Sequence, residues 1–172
     1  MRTIVVAPND SAWPAEFARI RDWLWPQMSD LALDIVHVGS TSVPGLAAKP
    51  IIDFVIVMES YAVFPALKAR LEALGYEHEG DLGIPTREVF KGGPAGFMKY
   101  HMYVCPQDGP EYRRGLLFRD WLRGHDEDRD AYAALKYELA KKYPHDIDAY
   151  IAGKHGLIEE IIQKAGGENA HA

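Results

Sequence analysis

Asp53 is the residue of this sequence that is best suited to chemistry. It is the only charged side chain in the apolar run Ile51–Met58, which predicts a central strand covered on both faces. A carboxylate in such a strand is costly unless it is hydrogen-bonded, paired or bound to a metal ion. Asp53 could therefore be a metal ligand or a general base at the end of the strand. It could equally accept hydrogen bonds from the Gly39–Ser42 turn, or pair with Lys49 or Arg87.

The turn Gly39-Ser40-Thr41-Ser42 follows a second predicted strand, Asp34–Val38. Glycine lets backbone N–H groups approach a ligand closely, and the hydroxyls of Ser40, Thr41 and Ser42 add donors, so the turn suits a phosphate group. Its spacing is neither that of a P-loop nor that of a Rossmann dinucleotide turn. An ordinary tight turn therefore stays open as the alternative.

Two histidines, His37 and His101, lie in strand-like runs. If both approach Asp53, the three residues would make a plausible site for a transition metal. A strand histidine is also commonly a structural residue, and the sequence alone does not place the two together. On its own strand His101 shares a face with Tyr103, because alternate residues of a strand point the same way.

Basic side chains accompany the predicted strands. Lys49 and Arg87, together with Lys91 and Lys99, could neutralise a triphosphate or another anion. Each of them is also explained as ordinary surface charge. The sequence therefore indicates an anion site here without requiring one.

A small mixed sheet is predicted to position these residues. Helices are expected before, between and after its strands, and the C-terminal third is expected to be helical, which is the order of an α+β or α/β domain. The predicted strands are 34–38, 51–58, 76–79, 87–91 and 99–104, and the predicted helices are 10–26 (ended by Pro26), 62–74, 110–123, 126–142 and one after Pro144.

Length and composition fit one globular domain. The chain has 172 residues, 48% apolar and 26% charged, which is enough to bury a core. We predict one domain over residues 1–165 and a disordered tail over 166–172. No apolar run approaches the roughly 20 residues of a membrane span, and the N-terminus lacks the features of a signal peptide. We therefore expect no membrane partner. Because Cys105 is the only cysteine, no internal disulfide can form, and we expect a cytoplasmic protein.

The charge balance argues against a nucleic-acid partner. The net charge is −6, from 19 basic and 25 acidic residues, whereas nucleic-acid backbones are held by clustered lysines and arginines. The one locally basic stretch, Arg113–Arg123, alternates with acidic residues and predicts a solvated helix face. Its arginines could instead dock a protein partner. The sequence does not indicate the oligomeric state.

The segment HVGSTSVPGLAAKPIIDFVIVM, residues 37–58, resembles the signature of the GrpB family. The resemblance extends over nearly the whole chain. Pro8–Pro14 is similar to the family's opening Y-D-P-x-W-P, and His101–Val104 is similar to its H-L-H-V strand. Leu117–Arg123 resembles its F-R-D-Y-L-R helix, and Tyr132–Lys136 resembles its Y-x-x-L-K.

This resemblance implies the fold of nucleotidyltransferases related to polymerase beta. In that fold a Gly-Ser turn holds nucleotide phosphates, and a D-x-D pair with a third carboxylate holds two Mg²⁺ ions. By this correspondence Gly39–Ser42, with Lys49 and Arg87, are the candidate nucleotide-binding residues. Asp53 is the first carboxylate, and Asp53 and His101 are the candidate catalytic residues.

The sequence departs from that pattern where the other two carboxylates are expected. Val55 stands at the second position of the D-x-D pair, and the third strand offers His101 and Tyr103. One carboxylate is a weak cage for Mg²⁺, which prefers several oxygen ligands. A site built on Asp53 and His101, with His37 as a third ligand, would better suit one divalent ion of Zn²⁺ or Mn²⁺ type, or a role in proton transfer.

Three functions therefore stay open. The first is a nucleotidyltransferase-like enzyme that acts on a small molecule with the help of Mg²⁺, Mn²⁺ or Zn²⁺. The second is a nucleotide- or CoA-binding module without catalysis, since the second carboxylate is missing and GrpB-like domains occur fused to dephospho-CoA kinases, as the resemblance implies. The third is a protein-interaction or folding-helper domain that docks a partner through Arg113, Arg119 and Arg123.

Overall fold

A computed structural model describes residues 2–167 of the chain. These residues form a mixed α+β structure with a helical C-terminal third, as the sequence predicts. The helices are α1 Ala12–Met28, α2 Phe64–Ala73, α3 Pro110–Gly124, α4 Asp126–Lys142 and α5 Ile147–Lys164, and the strands are β1 Asp34–Val38, β2 Ile52–Met58, β3 Tyr76–Gly80, β4 Glu88–Gly92 and β5 Tyr100–Pro106.

The strands form one sheet in the order β1-β2-β5-β4-β3. Strands β2 and β5 are parallel, and the other neighbouring pairs are antiparallel. Because parallel strands start at the same edge of a sheet, the first residues of β2 and β5 lie side by side. Asp53 is therefore directly opposite His101, while Val38 at the end of β1 is opposite Asp53 from the other side.

Strand β2 separates two apolar layers. Phe54 and Ile56 face the main core, which α1 and α2 cover. Val55 and Val57 face the other way and pack against α3. Asp53 points to this second face, since alternate residues of a strand share a face. The sheet thus places the carboxylate on the side of the C-terminal helices, at the edge where β1 ends.

Helices α3, α4 and α5 pack against the segment that follows β1. Val43 and Leu46 are fully buried in a cluster with Leu122 of α3, Tyr132 of α4 and Ile161 of α5. This packing holds the preceding Gly39–Ser42 turn between the sheet and the helices. The position of the turn is therefore fixed by apolar contacts of the residues that come after it.

Helix α1 is predicted to end at Pro26, but it continues to Met28. Proline cannot donate a backbone hydrogen bond, so one bond of the last turn is lost. The Ser29 N–H nevertheless donates to Trp25 O at 2.9 Å, and Met28 is completely buried in the main core. Burial of the methionine thus outweighs the cost of the proline.

The chain end is described as far as Gly167. The Gly167 N–H donates to Ile162 O at 2.9 Å, so residues 166 and 167 still cap α5. The rest of the predicted disordered tail, 168–172, lies outside the described residues. Among residues 2–167 no helix is long and apolar enough to span a membrane.

Candidate functional site

The site is centred on a pair formed by Asp53 and His101. His101 Nδ1 donates to Asp53 Oδ1 over 3.0 Å, which follows from the register of the parallel strands β2 and β5. The two side chains are 28% and 43% exposed, respectively, so both can reach a ligand. The carboxylate can only accept, and it therefore fixes the proton of the imidazole on Nδ1 and leaves Nε2 as an acceptor.

The backbone of Gly39 lies directly against the Asp53 carboxylate. Gly39 has φ +73° and ψ −174°, a conformation that is accessible to glycine and strained for other residues. A Cβ at this position would lie 2.6 Å from Asp53 Oδ2. The turn therefore requires glycine for its backbone conformation and for close approach to the carboxylate.

The hydroxyls of the turn are largely used within the protein. Ser42 is buried and donates to Gly39 O at 2.5 Å. Thr41 is buried against His37, and the side chain of Ser40 hydrogen-bonds with Tyr132 of α4. The side chains of Thr41 and Ser42, both candidate nucleotide-binding residues, thus form hydrogen bonds that stabilise the turn itself.

His37 does not join Asp53 and His101. It is opposite Phe54 in the β1–β2 pair, so it points to the other face of the sheet, where it stacks on Phe17 with ring centroids 4.6 Å apart. Its Nε2 is 2.8 Å from Thr41 Oγ1. The predicted three-residue metal set is therefore wrong in its His37 member. Within the described residues, no group of three or more His, Cys, Asp and Glu side chains could hold a metal ion.

The free energy of unfolding should fall as the pH is lowered from 6.5 to 4.5, because the imidazole of His37 is buried. His37 is only 8% exposed. Burial lowers the pKa of His37 from 6.5 to about 4, with Arg123 and Arg119 adding to the effect and Asp53 opposing it. In this range His37 is protonated in the unfolded chain and stays neutral in the folded protein. The free energy of unfolding therefore drops by about 2 kcal/mol through His37 alone. Urea unfolding at the two pH values should show the drop in the wild-type protein. In His37→Gln it should be smaller by that amount, and an equal drop in both proteins would contradict the assignment.

Two adjoining cavities open on the face that carries Asp53. One of about 180 Å³ is lined by Gly39 and Asp53, and one of about 430 Å³ is lined by His101. Arg87 and Tyr103 line both cavities. The Arg87 guanidinium lies 4.7 Å from the centroid of the Tyr103 ring, and its buried Nε has no hydrogen-bond partner among the described residues. Arg87 is thus a cationic group that shares one cavity with Asp53 and the other with His101.

The positions of the two absent carboxylates are filled by groups that do not bind Mg²⁺. Val55 is 5% exposed in the α3-facing layer. Tyr103 is opposite it on β5, and burial, followed by the nearby charge of Asp53, raises the pKa of its hydroxyl. The residues present therefore do not fit the two-ion arrangement that the fold family implies.

Two arginines of α3 donate hydrogen bonds to backbone oxygens beside the site. Arg119 Nη1 donates to His37 O at 3.0 Å, and Arg123 donates twice to Ser42 O, at 3.0 and 2.8 Å. Arg114 is paired with Glu159 of α5. Arg119 and Arg123 hold the end of β1 and the turn against α3, and Arg114 connects α3 with α5. Arg119 and Arg123 thus have contacts inside the protein, while Arg113 is exposed and the docking of a partner through α3 stays a prediction.

Two basic residues near the site, Lys136 and Lys154, are not among the site residues predicted from the sequence. Lys136 of α4 is 2% exposed and Lys154 of α5 is partly buried. The charge of Asp53 acts on the ammonium groups of both, and also on that of Lys49. A signal was present in the spacing, since Tyr132, Lys136 and Leu139 are the buried residues of α4 and lie on one face of a helix.

Comparisons with known proteins identify the family. Residues 3–164 match the model of a family described as "GrpB protein". The UPF0157 protein PA4798 of Pseudomonas aeruginosa is 39% identical over 171 residues, which cover 98% of this chain and 70% of that protein. A dephospho-CoA kinase of Mycolicibacterium paratuberculosis is 29% identical over 93% of this chain, which spans only 45% of the kinase.

Solved structures support the same conclusion. The conserved protein GrpB from Enterococcus faecalis superposes with a TM-score of 0.82 at 33% identity and covers 94% of this chain and 96% of its own. The Cid1 poly(U) polymerase, in its MgGTP-bound structure, gives a TM-score of 0.55 at 16% identity over 79% of this chain and 44% of its own. That identity supports the fold alone, and it confirms the predicted nucleotidyltransferase-like fold. On the family match and on its close relatives, the chain belongs to the GrpB family.

Proposed function

We propose that this GrpB domain binds the phosphate end of a nucleotide and transfers a nucleotidyl group to a hydroxyl of a small molecule. The observation that carries the proposal is the Asp53–His101 pair, which faces two cavities while the Gly39 backbone lies against the carboxylate. In a nucleotidyltransferase-like fold, this is the edge at which a strand, its glycine turn and the next strand's carboxylate meet.

His101 accepts the proton of the attacking hydroxyl in this mechanism. Its Nδ1 is engaged with Asp53, and its exposed side chain leaves Nε2 free to accept. The hydroxyl oxygen forms a bond to the α-phosphorus, the bond from that phosphorus to the bridging oxygen breaks, and pyrophosphate leaves. Asp53 orients the imidazole and stabilises the imidazolium that forms, as a carboxylate does in other catalytic Asp–His pairs.

A divalent ion belongs to the proposal in a restricted form. Glu111 and Glu79 also line the two cavities, but Asp53 is the carboxylate that contacts His101 and the Gly39 turn. The described residues offer no group of three metal ligands, so a single Mg²⁺, Mn²⁺ or Zn²⁺ ion on Asp53 would take its other ligands from phosphate oxygens and water. When bound, it would neutralise charge on the phosphates. If His101 bound the ion through Nε2, that nitrogen could not accept the proton, so the two roles of His101 exclude each other.

Binding without transfer is the second candidate. The observation in its favour is the buried Val55, which replaces a carboxylate of the two-ion arrangement. A CoA-like ligand would suit this reading, because the same domain type forms 45% of a chain named as a dephospho-CoA kinase. Both candidates use Arg87 and Lys49 to attract phosphate, and they differ in whether pyrophosphate is released.

The test measures thermal stability and pyrophosphate release with each of the four common nucleoside triphosphates. We expect a triphosphate to raise the melting temperature and, with a hydroxyl acceptor and Mg²⁺, Mn²⁺ or Zn²⁺, to release pyrophosphate. Asp53→Asn should lower the release rate by roughly 10²–10⁴-fold, because the proton acceptor loses its partner.

Asp108→Asn is the matched control, since Asp108 is an exposed carboxylate after the far end of β5. It should leave both measurements unchanged. Binding that survives EDTA without pyrophosphate release in any metal would favour the binding module instead. The absence of a thermal shift with every triphosphate would contradict the transfer, and its absence with CoA as well would contradict the binding module.

A further inference from the structure

Three lysines converge beside the site from separate parts of the chain. Lys49 precedes β2, Lys136 lies on α4 and Lys154 lies on α5. The Nζ atoms of Lys49 and Lys154 lie 5.4 and 4.7 Å from the centroid of the same ring, that of Tyr150. Lys136 Nζ lies 4.6 Å from the centroid of the Tyr132 ring. We call Lys49, Lys136 and Lys154 the lysine cluster.

The lysine cluster has almost no compensating negative charge. None of its members forms a salt bridge within residues 2–167. The ammonium groups repel one another, and Asp53 is the one carboxylate whose charge attracts all three. Burial is the main cause that lowers the pKa of Lys136 to about 7 and of Lys154 to about 8.

Two buried polar atoms at the cluster have no hydrogen bond in the described part of the chain. They are Lys136 Nζ and Tyr150 Oη. Buried polar groups are normally satisfied, so an unsatisfied pair next to a candidate site calls for an explanation. The contacts with the Tyr132 and Tyr150 rings stabilise a cation only modestly, and they do not replace the hydrogen bonds.

We propose that the lysine cluster is a subsite for the polyphosphate tail of a nucleoside triphosphate. This proposal rests on the proposed function and adds the substrate class to it. An oxygen-rich polyanion supplies both the negative charge and the acceptors that the cluster lacks. Because Asp53 lies within electrostatic reach of all three ammonium groups, the subsite adjoins the place where the α-phosphate reacts. The outer phosphates would therefore lie on the side of α4 and α5.

The same chemistry could come from the pyrophosphate and 3′-phosphate of CoA, so the experiment compares the sources. Thermal shifts and calorimetric titrations use sodium tripolyphosphate, ATP, AMP and CoA. The proteins are the wild type, Lys136→Met, Lys154→Met and the control Lys142→Met. Methionine keeps an unbranched side chain without the charge, and Lys142 is an exposed lysine of α4 that lies over the Tyr143 ring at 5.2 Å.

We expect tripolyphosphate to raise the melting temperature of the wild type and of Lys142→Met. We also expect both proteins to bind ATP at least tenfold more tightly than they bind AMP. Both effects should be lost in Lys136→Met and weakened in Lys154→Met. Equal tripolyphosphate binding by the wild type and Lys136→Met would overturn the proposal. Binding of CoA that depends on Lys136, without any response to tripolyphosphate or ATP, would overturn the assignment to a triphosphate.

A further variant keeps this result separate from the catalytic proposal. Asp53→Asn removes a carboxylate that attracts the lysines, and it should retain or improve the response to tripolyphosphate. If tripolyphosphate binds as expected but no pyrophosphate is released in the transfer assay, the subsite stands and the proposed transfer fails. If pyrophosphate is released at equal rates by the wild type and Lys136→Met, the transfer stands and the subsite fails.

Discussion

Replacing Gly39 by alanine is expected to destabilise the protein by about 3 kcal/mol and to disrupt the Asp53–His101 pair. The backbone at φ +73° and ψ −174° is strained for alanine. The added Cβ would also lie 2.6 Å from Asp53 Oδ2 and 3.2 Å from Asp53 Cγ. The carboxylate must then move, and its 3.0 Å hydrogen bond with His101 Nδ1 cannot be kept unchanged.

Gly83→Ala is the matched control for the backbone effect. Gly83 has φ +86°, but a Cβ there would meet nothing within 4 Å. Urea unfolding gives the stability of both variants, and ¹⁵N spectra of the imidazole report which nitrogen of His101 carries the proton. We expect a wild-type His101 spectrum in Gly83→Ala and a changed one in Gly39→Ala. An unchanged His101 spectrum in both would contradict the close fit between Gly39 and the carboxylate.

Asp53 and His101 could be named as candidates from the sequence, but neither their pairing nor the place of His37 could be. Both stand near the start of predicted strands, and only the parallel pairing of those strands, which the structure shows, brings such positions together. The side to which His37 points depends on whether His37 or Val38 is opposite Asp53. A shift of one residue inverts every side chain of a strand, and the 13 residues between β1 and β2 do not fix that register.

The lysine cluster illustrates a different limit. Charged residues are seldom buried, so an interpretation of α4 by its apolar stripe takes Leu135 as a core position and leaves Lys136 outside. In the structure Lys136 is buried with Tyr132 and Leu139 along the helix, while Leu135 is only partly buried. Periodicity alone favours either assignment. The choice depends on helix α5, whose Tyr150 and Lys154 face the same interior.

The strands and helices themselves were predictable because local signals agreed with the final packing. Strand β1 has the predicted bounds, and α4 begins and ends where the sequence indicates. The disagreement at Pro26 has the opposite origin, since a local helix-breaking signal was outweighed by burial of Met28. Sequence signals thus located the elements, while contacts between distant segments decided the details of the site.

Replacing Lys136 by methionine is expected to stabilise the ligand-free protein at pH 7 by about 3 kcal/mol. Lys136 is 2% exposed and its Nζ has no hydrogen-bond partner among the described residues. Burial, the charges of Lys154 and Lys49, and a weaker opposing effect of Asp53 leave the pKa of Lys136 at about 7, against 10.5 in water. Methionine fills similar space without an uncompensated charge.

The same cause gives the wild-type protein a stability that increases with pH. Between about pH 7 and 10.5 the unfolded chain keeps the Lys136 proton while the folded protein releases it. The free energy of unfolding therefore rises with pH, by about 2 kcal/mol from pH 7 to 8.5. Lys154 adds to the rise above pH 8, whereas Cys105, whose pKa burial raises to about 12, opposes it above about pH 9.

Urea unfolding at pH 7.0 and 8.5 isolates the contribution of Lys136. Lys142→Met should follow the wild type at both pH values, because Lys142 is exposed. Lys136→Met should be more stable than the wild type at pH 7.0, and the gap should narrow by about 2 kcal/mol at pH 8.5. If Lys136→Met is instead less stable at pH 7.0, or the gap is independent of pH, the ammonium group is compensated inside the fold. A narrowing gap would mean that the folded protein tolerates this buried charge at a cost to its own stability, which is the behaviour expected of a residue kept for an anionic ligand.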